Sequence, residues 1–434
     1  MSAIWGWDLS PPAAPLGLAA IGQGGAGAAA RLEVPVRPPA RRLLPALLLL
    51  AAPGCEDARK LLDDGAPPGL DALDCAPVRP LGGRGPAAQL AAGMGLPDRL
   101  LVGLGNDAVG RRGSALAYTL GPRFDVHYLY LVGLPGRGGW DEWNPGGRFV
   151  DIQSKAARSQ CQVPMFTLYA MAVDGEANMA ALTDRAYMRA WWQGYTLALD
   201  RLGRSAAPSI LHVEPDFWGF VQQRNPGRTP DEITVLVADV TDDCGDVPDT
   251  LAGMGACLVR KARARSPGTR LGLHASTWAA APAEVAAFLN GVGARDTDLL
   301  VVETLDRDAG CFEARAPDCV REDGPWYWDA DERSPPHLGD HLDKIRALHE
   351  GTGLPILWWQ TPLGVPAEAP GGSPGAYRDN RVPIFFAHTA RLVEAGGVGI
   401  LFGAGWEQQT TVETDGGQLK AAAEAYLAAP TPLP

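Results

Sequence analysis

A single (β/α)8 barrel is the fold class that this 434-residue sequence predicts. Three observations predict it. Eight short apolar runs follow one another from about residue 100. Helical patterns or long polar stretches separate them. The first run, which leads into GLGNDAVGRRG, lacks the glycine order of a phosphate-binding turn, which argues against an open dinucleotide-binding sheet. Hydrophobic residues make up 46% of the chain, enough for a large core.

The runs are, in order, RLLVGLGND, FDVHYLYLVG, VPMFTLYAM, SILHVEPD, RLGLHAS, DLLVVETL, LPILWWQ and GVGILFGAG. Strands of a parallel sheet covered on both faces read as near-continuous apolar runs of this kind. DRAYMRAWWQGYTLALDRLG, before the fourth run, reads as a helix with Trp191 and Trp192 in the core. In LGDHLDKIRALHEGTG, residues Leu338, Leu342, Ile345 and Leu348 recur at three or four, and Gly351 is the expected C-cap. Asp379 or Asn380 is placed to cap a helix carrying Phe385 and Phe386. Eight units close a TIM barrel over residues 96–430, with long loops at the carboxyl ends of the strands: 134–160, 220–250, 305–336 and 361–380. Residues 55–95, rich in Pro, Gly and Ala, read as a linker with little regular structure.

Residues 1–54 read as a leader. ARRLLPALLLLAAPGC pairs two arginines with an apolar run from Leu43 to Ala52, the pattern of an export signal and too short for a permanent span. The small residues before Cys55 resemble a lipoprotein cleavage site, which would place a lipid anchor on Cys55. Val36 is an alternative first residue. The expected location is therefore the periplasm or cell surface, as a secreted protein or an anchored lipoprotein. The remaining six cysteines suit disulfides. Cys244–Cys257 and Cys311–Cys319 would close short loops, and Cys75–Cys161 is left by elimination. A formal net charge of −12 makes nucleic acid a poor partner. A monomer is expected.

Chemistry-bearing residues gather at the ends of the runs. The fourth, ILHVEPDFWGF, sets Leu211 and Val213 on one parity and His212, Glu214 and Asp216 on the other. Side chains alternate faces in a strand, so the second set should point into the barrel near its top. Asn106 and Asp107 end the first run, and His127 lies in the second. Tyr169, with Asp174 and Glu176 beyond it, ends the third; His274, Ser276 and Trp278 end the fifth. Glu303, Asp306 and Asp308 close the sixth, Trp359 and Gln360 the seventh, and Trp406 and Gln408 follow the eighth.

Such a set suits acetal hydrolysis. One carboxylic acid protonates the leaving oxygen, and a second carboxylate attacks or activates water. The expected acid is Glu214 or Asp216, and the expected second carboxylate Glu303, Asp306 or Asp308. Trp218, Trp278, Trp359 and Trp406 would stack on sugar rings. Asn106, Asp107, His127, Tyr169, His212, His274, Gln360 and Gln408 would bind hydroxyls. No cofactor and no metal are expected.

The barrel pattern, with an acidic residue after the fourth strand, resembles the TIM-barrel glycoside hydrolases. VEPD is similar to the Glu-Pro-Asp motif of the family 6 cellulases, a resemblance that implies Asp216 as general acid. The larger retaining clan would instead imply Glu214, but it also needs a Glu after the seventh strand, where this sequence has Gln360. The implied function is an exported glycoside hydrolase acting on a poly- or oligosaccharide. The alternatives are a non-catalytic carbohydrate-binding lipoprotein, or a metal-dependent hydrolase using His212 and Glu214.

Overall fold

The computed structural model of the chain describes residues 72–75, 82–108 and 115–434. Eight parallel strands close a barrel: β1 Leu101–Gly105, β2 Val126–Val132, β3 Val163–Tyr169, β4 Ser209–Val213, β5 Thr269–His274, β6 Leu299–Val302, β7 Ile356–Thr361 and β8 Gly397–Phe402. Each strand pairs with its sequence neighbours, and β8 closes on β1 with Leu101 opposite Gly399. The eight apolar runs are the eight strands. Helices follow most strands, among them Phe149–Ser159, Arg185–Leu202, Leu251–Arg265, Pro282–Val292 and Leu338–Thr352. The last ends at left-handed Gly353; Gly351, the expected cap, lies inside it. The Cβ-free residue at a helix end adopts that conformation without clash.

Two packed layers result. Leu211, Val213, Leu271 and Leu273 face the helices, where Trp191 and Trp192 are buried. Tyr128, Tyr130, Met165, Ile210, Val301 and Trp359 fill the barrel interior. The segment read as linker contains a helix, Pro86–Gly93, with Pro in its first turn. Its Ala87, Ala88, Leu90 and Ala91 join the interior layer beside Val126, Val163 and Leu299, so it stoppers the amino-terminal end of the barrel. The carboxyl terminus closes the same end: Gly85 N donates to Pro434 O, and Leu433 N to Asp98 O.

The three disulfides join Cys75–Cys161, Cys244–Cys257 and Cys311–Cys319, as expected. Disulfides of this number are typical of proteins from oxidising compartments. Among the described residues no helix is long and apolar enough to cross a membrane. The expected leader and Cys55 lie outside the described residues.

Candidate functional site

The carboxyl ends of β4, β5 and β6 bring three groups together. One oxygen each of Asp216 and Glu303 and one ring nitrogen of His274 all lie within 4.8 Å of one another. His274 ends β5, Glu303 directly follows β6, and Asp216 follows β4 after Pro215. The Trp278 indole lies beside both carboxylates and favours their charged forms. Burial, then the negative charges of Glu176 and Asp306, push the Asp216 carboxyl up to about 7. Burial, then Asp216 and Asp306, push Glu303 well above the usual carboxylate range; Arg321 opposes both shifts. Two acids this close hold one proton between them more readily than none. Asp306 belongs to the same mouth but is ion-paired with Arg307 and Arg321.

Beneath the acids lies a polar floor. His274 Nδ1 meets His212 Nε2 at 3.2 Å, and His212 Nδ1 meets Thr167 Oγ1 at 3.1 Å. Burial lowers both imidazoles, His274 to about 3, so both are neutral. The Trp359 ring abuts them with centroids at 4.9 and 5.9 Å. Tyr130 donates to Gln360 Oε1. Only glycine at 405 leaves room for Gln360, because a Cβ there would overlap its amide. Four buried polar atoms in this region, His274 Nε2, Ser276 Oγ, Thr304 Oγ1 and Trp359 Nε1, have no hydrogen-bond partner. Such atoms are costly to bury and mark where a ligand can bind. Non-glycine residues with left-handed backbone also gather at strand ends: Asn106 (φ 61°), Glu214 (φ 54°), Asp216 (φ 64°) and Gln360 (φ 51°). Backbone strain of this kind, about 1–3 kcal/mol each, clusters at functional sites.

Trp278 is 39% exposed and packs on Phe220, so its ring is open to a ligand at the rim. The space beside His274, lined by Trp218, Gln222, Ser276 and Phe288, is too tight to admit a water molecule. It is not a pocket of the ~300–1,000 Å3 that ordinary ligands occupy. Ligand contact is therefore expected along the rim.

Several expected site residues lie elsewhere. Glu214 is fully buried, and its carboxylate turns away from the barrel axis. It accepts from Ala170 N, from Met171 N at 3.0 Å and from Trp191 Nε1 at 2.6 Å, so it anchors the loop after β3 to an outer helix. Its left-handed φ breaks the strand alternation and causes the turn away. Asp308 is also fully buried: it accepts from Thr410 N at 2.8 Å and ties the loop after β6 to that after β8. His127 lies on the helix-facing side, against Tyr118 at 2.6 Å and Asp107 at 3.1 Å. Asp107 in turn accepts from Leu116 N. Trp218 donates to Val213 O and is buried against Phe217, so it offers no platform. Trp406 is buried over Tyr377, with Arg307 on its ring. Asn106 donates to Ala404 O and Gln408 O accepts from Gly375 N; Tyr169 instead stays beside the site, donating at 2.7 Å to Glu176, whose charge acts on Asp216. Sequence reasoning missed Tyr130 and Arg321. The parity of β2 could have found Tyr130; nothing local marks Arg321, which sits in a long loop.

No family profile matches the chain, and no curated protein matches it in sequence. Among solved structures it is similar to an endo-1,4-β-D-mannanase from Thermotoga petrophila RKU-1, at 12% identity and TM-score 0.43, covering 76% of this chain and 99% of that one. It is similar to a trimodular GH5_4 endoglucanase, at 13% identity and TM-score 0.45, covering 79% and 62%. A D-allulose 3-epimerase from Methylomonas sp. shares 14% identity at TM-score 0.41, covering 76% and 98%. These barrels run different reactions and select none for this chain.

Proposed function

We propose that the protein is a glycoside hydrolase in which Asp216 and Glu303 are the two carboxylates. The observation that supports this reading is their approach, with oxygens within 4.8 Å, beside an exposed indole. One carboxyl holds the shared proton and gives it to the leaving oxygen. The other attacks the anomeric carbon or activates water. The VEPD resemblance assigns the acid's part to Asp216 and leaves the second role to Glu303. The sugar ring would lie on Trp278, and the unpartnered Ser276 and Thr304 hydroxyls would meet its hydroxyl groups. Disulfides suit an exported protein, and we read residues 1–54 as its leader, with a lipid on Cys55.

The test is reducing-sugar release from a panel of β- and α-glucans, mannans and galactans. Asp216→Asn and Glu303→Gln should each lower turnover about 10²–10⁴-fold with the fold retained. Release that survives either substitution would overturn the assignment. Glycan binding without release would instead support the non-catalytic alternative.

A further inference from the structure

We infer that Asp216, His274 and Glu303 also form a binding site for a divalent cation of the zinc or manganese type. Two carboxylates and one imidazole from three successive strand ends converge, with one donor atom of each within 4.8 Å of the others. Carboxylate crowding alone would not point to a cation. The independent observation is His274. The residue is fully buried, its Nδ1 is engaged by His212, and its Nε2 has no partner. In the tautomer where His274 Nδ1–H donates to His212 Nε2, and His212 Nδ1–H to Thr167 Oγ1, the free Nε2 keeps a lone pair. Ligating histidines are commonly oriented by such a bond from the other ring nitrogen.

Charge favours the same occupant. Asp306 has Arg307 and Arg321 as ion-pair partners, whereas Asp216 and Glu303 form no ion pair among the described residues. Donors around zinc at about 2.0–2.2 Å stand roughly 3–3.5 Å apart. The three groups would draw together to reach that spacing. A chelating set of two carboxylates and one histidine with open positions suits a mid-series divalent ion. The ligands differ from the His212 and Glu214 considered from sequence, because Glu214 faces the loop after β3.

A consequence, resting on the hydrolase reading, is that a cation across both carboxylates leaves neither free for catalysis, so metal inhibits. The experiment adds ZnCl2, and separately MnCl2, to chelator-treated full-length protein and follows heat of binding and tryptophan emission. One equivalent should bind, and His274→Ala or Glu303→Gln should weaken binding at least tenfold with the melting temperature of each variant recorded alongside. Glu303→Gln, at the rim, keeps the test decisive if His274→Ala does not fold. Absence of binding, or binding indifferent to both substitutions, overturns the site. If metal binds and EDTA restores glycan hydrolysis, the site and the hydrolase reading both stand. If hydrolysis requires the metal, the site stands and the two-carboxylate reading falls.

Discussion

Glu214 and Asp216 lie two residues apart, yet they face different surroundings because both have left-handed backbone. No composition or periodicity rule reports that conformation in a glutamate, so strand alternation put both into the barrel. Glu214→Gln would turn an amide toward three N–H donors and should cost about 1–3 kcal/mol, read as a lower urea midpoint. Unchanged stability with lost turnover would instead return Glu214 to the chemistry. The pH response follows from burial. Glu214 and Asp308 are each raised to about 7, with desolvation the largest cause. A raised acid binds more protons folded than unfolded. Its contribution is thus present below the ordinary carboxylate range and lost as pH rises through about 7. Urea midpoints should fall from about pH 4 to about pH 7 and level off above it, and Asp308→Asn should flatten that slope. On the hydrolase reading, kcat/KM of chelator-treated protein should also decline above about pH 7 as the Asp216–Glu303 pair loses its proton.

At the scale of elements, much was legible. All eight strands were visible as apolar runs, since burial on both faces leaves little room for polar residues. The convergence of Asp216, His274 and Glu303 followed from placing chemistry at strand carboxyl ends. Parity failed where it was judged by polarity: His127 was expected inside, but Val126, Tyr128 and Tyr130 take the interior of β2. His127 instead finds Tyr118 and Asp107 outside, a pairing that only the fold brings together. Exposure was equally hidden: of four tryptophans expected to stack on sugar, only Trp278 is open. Trp278→Ala should raise KM about tenfold, equal to ~1.4 kcal/mol, with less effect on kcat. An unchanged KM would remove the platform.

For the molecule as a whole, chemistry and closure lie at opposite ends of the barrel. Arg321, Trp326 and Asp306 share the long loop after β6, which Cys311–Cys319 staples. Reduction of that bridge should lower turnover before it lowers secondary structure, checked by assay and circular dichroism in parallel. The helix Pro86–Gly93 and residues Thr431, Leu433 and Pro434 hold the other end, far from Trp278. Removing residues 430–434 should lower the melting temperature while KM stays the same.

That stoppered end has a practical corollary. Molecules grafted to a bead or sheet through Pro434 would stand with their openings turned outward, toward polymers too large to diffuse between them.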